Sequence, residues 1–179
     1  MALTGIRLVV ADAPVIDAAL AGPRALERAL GVAVVDGWVV FPQSLERVRR
    51  KLREDPGGAR WGSRLFVAGE PAAVVGWGGF KGPPRDGTVE LGYAIAPARE
   101  GRGLATAAVR AMVREAFAEP AVRSVIAHTL PEPGPSPRVL EKAGFAFDGD
   151  VIERGRTAWR FRILDGTCPP SSTGRAPDL

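Results

Sequence analysis

The chain has 179 residues, 46% of them hydrophobic and 25% charged, enough for one domain with a real apolar core. A single cysteine, Cys168, excludes an intrachain disulfide, and one histidine without a cysteine pair excludes a zinc cluster. No apolar run could span a bilayer and no charged-then-apolar leader opens the chain, so a soluble cytoplasmic protein without membrane contact is expected. In chain order, a strand is predicted from about Ile6 to Ala11, then a helix with Pro14 in its first turn and Asp12 or Ala13 as cap. "AGP" (Ala21–Pro23) interrupts it before a short helical segment from Arg24 to Leu30. Ser44 is the expected N-cap of a basic helix that "DPGG" (Asp55–Gly58) closes.

Three extended segments follow, Arg64–Ala68, Ala72–Phe80 and Thr88–Ile95, with Asp86-Gly87 as a hairpin turn. The helix after Gly103 repeats Leu104, Ala108, Met112 and Val109, Val113, Phe117 at three- and four-residue spacing. "VRSVIAHTL" reads as a strand, "SPRVLEKAG" as a helix with Gly144 as C-cap, and "FAFDGDVI" and "TAWRFRIL" as two last strands. The tail, residues 166–179, is rich in Pro, Ser and Gly, and disorder is expected there. This order predicts one domain over residues 1–165, α/β in class, with a mixed sheet and helices on both faces.

The net charge of +4 and pI near 10.0 suit anionic ligands without establishing a nucleic-acid partner. Arg47, Arg50 and Lys51 would share one face of the basic helix, which reads first as a solvated face. No aromatic interleaving of the kind used to stack on single strands accompanies it.

The most informative stretch is "EGRGLA", Glu100 to Ala105. Gly is a poor helix former, but before a helix it permits a sharp turn and a close approach of ligand to backbone. The free N–H groups and positive dipole of a first helical turn suit phosphate. A P-loop fails because no Lys-Ser or Lys-Thr follows, and a dinucleotide fingerprint fails because Thr106 stands at the third glycine. A purely structural tight turn is the remaining alternative.

The stretch resembles the acyl-CoA-binding motif of the GNAT N-acetyltransferases, Gln/Arg-x-x-Gly-x-Gly/Ala, with Gly103 and Ala105 on the two small positions and Glu100 departing at the first. "TLPEPGPSPRVLEKAGF" resembles the family's Thr-x-x-x-Asn-x-x-Ser-x-x-x-x-Glu-Lys-x-Gly-Phe through Thr129, Ser136, Glu141, Lys142, Gly144 and Phe145, while Pro133 replaces the Asn. "GWGGFKGPP" and "VELGY" are similar to the branch that includes ribosomal-protein N-terminal acetyltransferases. The resemblance runs from about Ile6 to Leu164. It implies a single GNAT-like domain with a mostly antiparallel sheet of about seven strands, whose central pair splays apart after a bulge to admit acetyl-CoA as co-substrate.

On that resemblance, Tyr93, Ala94 and Ile95 offer backbone groups to the pantetheine and thioester, and Gly101, Arg102, Gly103, Leu104, Ala105 and Thr106 hold the pyrophosphate. Glu90 matches the family's base, the alternative being a strand residue paired with Arg85 or Lys81; His128 and water are other bases. Leu140 stands where the family places an acidic tyrosine, leaving Ser136 as a proton relay or a helix cap. Trp38 and Phe41 are the expected acceptor-side aromatics. The implied activity is acetyl transfer to a primary amine, a small molecule or a protein N-terminus, by direct attack in a ternary complex without metal. A homodimer is compatible with it. The departures at Glu100, Pro133 and Leu140 keep a non-catalytic acyl-CoA-binding domain as the alternative, with a nucleic-acid-binding module third.

Overall fold

Residues alternate across β3 (Ser63–Ala68) with the period of two that a strand imposes. Leu65 and Val67 turn to one face, Phe66 and Ala68 to the other, and all four are buried because helices cover both faces. The computed structural model describes residues 5–39 and 41–166. The element order is β1 (Arg7–Val10), α1 (Ala13–Leu20), α2 (Pro23–Leu30), β2 (Ala33–Val34), α3 (Gln43–Glu54), β3, β4 (Ala73–Phe80), β5 (Thr88–Ile95), α4 (Leu104–Phe117), β6 (Ser124–Thr129), α5 (Pro135–Ala143), β7 (Ala146–Glu153) and β8 (Arg156–Leu164). The strands form one sheet in the order β1-β3-β4-β5-β6-β8-β7, with β2 paired to β4. Only β2–β4 and β5–β6 are parallel. The expected mixed, mostly antiparallel α/β domain is therefore what forms, with the two-residue β2 added, too short to read from a pattern.

Helices α4 and α5 pack Val109, Met112, Val113 and Leu140 on the face carrying Val89, Leu91 and Val125. Helices α1 to α3 pack Ile16, Leu26, Leu45 and Leu52 on the opposite face, against Leu65, Val74 and Trp77.

Local signals explain most boundaries. The Asp12 carboxylate accepts from the Val15 N–H at 3.1 Å and starts α1. Asp86 and Gly87 both have positive φ, 50° and 77°, and Arg85 and Thr88 exchange both backbone hydrogen bonds, a type I′ hairpin. Gly144 ends α5 at φ 99°. Ser44 is a correction: α3 begins at Gln43 because Pro42, already at helical φ and ψ, starts the turn earlier. The Ser44 hydroxyl is buried instead and accepts from Arg47 at 3.0 Å. The tail expected to be disordered lies, beyond Gly166, outside the described residues. Among the described residues no helix is long and apolar enough to cross a membrane.

Candidate active site

β5 changes neighbours along its length. Thr88, Val89 and Glu90 pair with Ser124, Val125 and Ile126 of β6, and there the β5–β6 pairing stops. Beyond it β6 stays with β8 as far as Thr129 while β5 stays with β4 as far as Ile95, so the two central strands part. The β4–β5 register is unbroken from Gly76↔Ile95 to Phe80↔Leu91, while β4 carries a bulge against β3, where Phe66↔Gly76 is followed by Val67↔Val74.

Successive residues of a strand aim their backbone groups at opposite neighbours. The Glu90 carbonyl accepts from Lys81 N–H at 2.9 Å and Ala96 N–H donates to Val75 at 2.8 Å, so even-numbered residues of β5 face β4. Leu91, Tyr93 and Ile95 therefore turn theirs toward the gap. Ala94 is a correction to the expected trio, because its carbonyl points at Gly76, where a Cβ would lie 2.3 Å from it.

On the α4 and α5 side the gap opens into a cavity of about 610 Å³, lined by Tyr93, Ala94, Ile95, Gly101, Gly103, Leu104, Ala105, Thr106 and Ser136 among others. Gly101 and Gly103 have φ of 71° and 76°, where L side chains are strained, and a Cβ on either would meet nothing within 4 Å. The first bond of α4 runs from Ala107 N–H to Gly103, so the N–H groups of Leu104, Ala105 and Thr106 have no acceptor inside the helix. These residues fit a diphosphate: donors, a helix dipole and room. Arg102 is exposed and does not line the cavity; Arg99, Arg138 and Lys142 supply the positive charge instead.

Tyr93 crosses this cavity. Its hydroxyl lies 3.0 Å from the Ser136 hydroxyl and donates to the Ser136 carbonyl at 3.2 Å. Burial pushes the phenol above its ordinary pKa, and the Ser136 hydrogen bond offsets part of the rise. Ser136 is thus not the cap of α5: Gly134 takes that place, the helix starts at Pro135, and Ser136 faces Tyr93 from the first turn. Leu140, one turn on, is fully buried in the core.

The opposite face carries a second cavity of about 670 Å³, lined by Trp61, Phe80, Lys81, Glu90 and Ile126 among others. Glu90, Ile126 and His128 share this face by alternation. The Glu90 Oε1 lies 2.8 Å from His128 Nδ1 and also binds the Lys81 ammonium. Lys81 reaches Glu153 Oε1 at 3.1 Å, and Glu153 Oε2 is 3.6 Å from His128 Nδ1. Burial is the largest single influence on Glu153 and opposes its charge. The Lys81 hydrogen bond and the charges of Lys81, His128 and Arg154 together outweigh it and hold the carboxyl below its ordinary pKa. Glu90, His128 and Glu153 bring possible ligand atoms within 4.8 Å of one another, with the Lys81 ammonium bonded to two of them. Of the partners expected for Glu90, Lys81 is real and Arg85 is not, since the Arg85 hairpin turns back on Thr88. Glu153, 63 residues from Glu90 in sequence, carried no signal; sheet order alone delivers it.

The two expected acceptor-side aromatics are placed differently. Trp38 is buried, 6% exposed, with its ring 6.2 Å from Trp77 in an edge contact beneath α1 to α3. Phe41 is 57% exposed. Neither lines the cavity; Trp61 and Phe80, edge to face at 5.2 Å, border it, although their rings pack against the α4–α5 core cluster. Gly92, between Glu90 and Ala94 on this face, has nothing within 4 Å of where its Cβ would stand, so the floor is open there.

A family model for the acetyltransferase (GNAT) domain matches residues 6–146. The chain belongs to the GNAT acetyltransferases. No curated protein matches it. Among solved structures, a GNAT-family acetyltransferase from Bacillus anthracis is 24% identical, with TM-score 0.54 over 67% of this chain and 74% of its own. Aminoglycoside acetyltransferase AAC(6′)-Ib, solved with coenzyme A and kanamycin, is 19% identical, with TM-score 0.60 over 90% and 95%. The microcin C7 self-immunity acetyltransferase MccE, solved with acetyl-CoA and AMP, is 12% identical, with TM-score 0.62 over 89% and 92%. At these identities the three show a shared fold. The splayed β5–β6 pair of this GNAT domain thus lies between a glycine-lined cavity on one face and a charged cluster on the other.

Proposed function

We propose that this GNAT domain transfers an acetyl group from acetyl-CoA to the primary amine of a small molecule, by direct attack in a ternary complex. One observation carries the reading: cavities lie on opposite faces of the sheet beside the gap that opens after Glu90, one lined by Tyr93 and the other by Glu90. A thioester supplied to such a gap presents an activated acyl carbon. The turn from Gly101 to Thr106 holds the diphosphate, and the backbone groups of Tyr93 and Ile95 align the thioester arm along the edge that β6 leaves. The amine nitrogen forms a C–N bond to the acyl carbon as the C–S bond breaks. The Glu90 cluster takes the proton from nitrogen, and the Tyr93 hydroxyl, joined to Ser136, holds a proton for the departing sulfur. Trp61 and Phe80 form the apolar wall for the acceptor, a role expected for Trp38 and Phe41.

Two neighbours solved with a cofactor beside a second small molecule support a two-cavity arrangement, and kanamycin in one of them carries primary amines. A protein N-terminus is the second reading of the acceptor, because Phe80, Lys81 and Glu90, within the segments that resemble the ribosomal-protein branch, line the cavity. The test is release of CoA thiol from acetyl-CoA with kanamycin, spermidine and short peptides as acceptors. Acetyl-CoA binding without thiol release for any of them would replace this reading with a non-catalytic acyl-CoA-binding domain.

A further inference from the structure

Resting on the acetyl-transfer reading above, we infer that the general base is the imidazole of His128 and that Glu90 is its positioning residue. The Glu90 Oε1 holds both the Lys81 ammonium and His128 Nδ1, which ties this carboxylate to the cluster and aims it at the ring. His128 Nδ1 lies 2.8 Å from the carboxylate, which selects the Nδ1–H tautomer and leaves Nε2 as the acceptor. Among the described residues no hydrogen bond engages Nε2. The ring is not free to swing away: its side chain is 13% exposed and Glu153 closes on the same nitrogen from β7.

The charges agree with this assignment. The groups facing the ring are Lys81 after β4, Glu90 on β5 and Glu153 on β7. Arg160, its cross-strand partner on β8, turns its guanidinium to Asp148 at 2.7 Å. Two carboxylates and one ammonium leave the cluster one negative charge beside a neutral imidazole, and none once an imidazolium forms. Proton capture by the ring keeps both carboxylates ionised beside Lys81 and, at Glu153, Arg154, whereas a proton on Glu90 would take one of them from the Lys81 ammonium. His128 also lies two residues beyond Ile126, on the part of β6 that has left β5, where the gap is open. In the step, the amine proton moves to Nε2 as the C–N bond forms. The C–S bond breaks, sulfur takes the Tyr93 proton, and the imidazolium returns its proton through solvent.

His128 is the one histidine of the chain, so every imidazole nitrogen signal of the 15N-labelled protein belongs to it. The neutral ring is expected as the Nδ1–H tautomer, with that preference lost in Glu90→Gln. In thiol release with the amine panel, His128→Ala should fall about 10²–10⁴-fold. The variant should keep the acetyl-CoA-induced rise in melting temperature, and added free imidazole should restore part of the rate. Glu90→Gln should fall less and gain nothing from imidazole. An Nε2–H tautomer, or a His128→Ala enzyme within threefold of an active wild type, overturns the base while leaving acetyl transfer intact. A wild type that binds acetyl-CoA but releases no thiol with any amine overturns the reaction and its base together.

Discussion

Tyr93 on β5 and Ser136 on α5 touch across the cavity on the α4 and α5 side of the sheet, hydroxyl to hydroxyl at 3.0 Å. The strand tyrosine thereby presents its phenol one turn from Leu140 on α5, where the helix itself has only a buried hydrocarbon. Tyr93→Phe removes the proton and little else. Turnover should fall toward the lower end of the ~10²–10⁴-fold range of general acid catalysis, since a thiolate already leaves well. Because burial raises the phenol's pKa, wild type should hold its rate to strongly alkaline pH and then lose it as the phenol ionises. That alkaline limb should vanish in Tyr93→Phe, while calorimetric acetyl-CoA affinity changes by less than about threefold, a loss under ~1 kcal/mol. A full alkaline limb in the variant would take the proton-donor role from Tyr93.

Gly103 tests the diphosphate cradle. A side chain there meets no protein atom within 4 Å but is held at φ 76° and projects into the room the ligand needs. Gly103→Val should cost about 1–2 kcal/mol from the left-handed backbone and still fold. Acetyl-CoA at a hundredfold excess over its dissociation constant stabilises wild type by about 2.7 kcal/mol; the variant should show no such gain in thermal denaturation. An unchanged gain would place the diphosphate elsewhere.

Arg64 anchors the 3₁₀ segment beside the second cavity. It is 1% exposed, its Nε lies 3.1 Å from a Glu115 oxygen, and its remaining donors reach the carbonyls of Ala59, Arg60, Gly62 and Ser63. Those carbonyls lie in or beside the 3₁₀ segment Pro56–Trp61, so this one guanidinium ties that segment's backbone to β3. Arg64→Leu leaves several acceptors and a carboxylate without their donor and should destabilise the fold by at least ~3 kcal/mol. Glu115 is 39% exposed, so Glu115→Gln should cost about 1 kcal/mol once solvent screening is counted. Equal midpoints for Arg64→Leu and wild type in urea would refute the anchor.

Asp148 gives a pH dependence of defined sign. The Arg162 hydrogen bond outweighs desolvation, the next influence, and with the charges of Arg162 and Arg160 and the Arg160 hydrogen bond it holds the carboxyl below the ordinary range. A carboxyl whose folded pKa is depressed contributes stability above its unfolded pKa and loses it as pH falls through the folded one. The melting-temperature difference between wild type and Asp148→Asn should therefore be largest at neutral pH and shrink below about pH 4. A difference that is flat from neutral pH down to pH 2 would contradict the linkage.

The chain's own residues determined the order of elements, the two-faced burial of the sheet and the cofactor-side turn. These depend on local physics: period-two and helical spacing, an aspartate at a helix start, Asp86-Gly87 in a tight hairpin, and glycines where φ must be positive. The glycine turn from Gly101 to Thr106 is legible for that reason, while Glu90, Tyr93 and Ser136 are expected only on the resemblance to the family's motifs. Tertiary structure decided which of them meet. Ala94 turns from the gap because strand alternation follows the hydrogen-bonding phase set by β4. Trp38 sinks beneath three helices, and Trp61 borders the second cavity at the end of a segment whose carbonyls Arg64, on β3, collects. The His128–Glu90–Lys81–Glu153 cluster draws on β6, β5, the end of β4 and β7, neighbours only once the sheet is assembled. Contacts between residues far apart in sequence are selected by packing and burial of the whole sheet, and no local pattern encodes their partners.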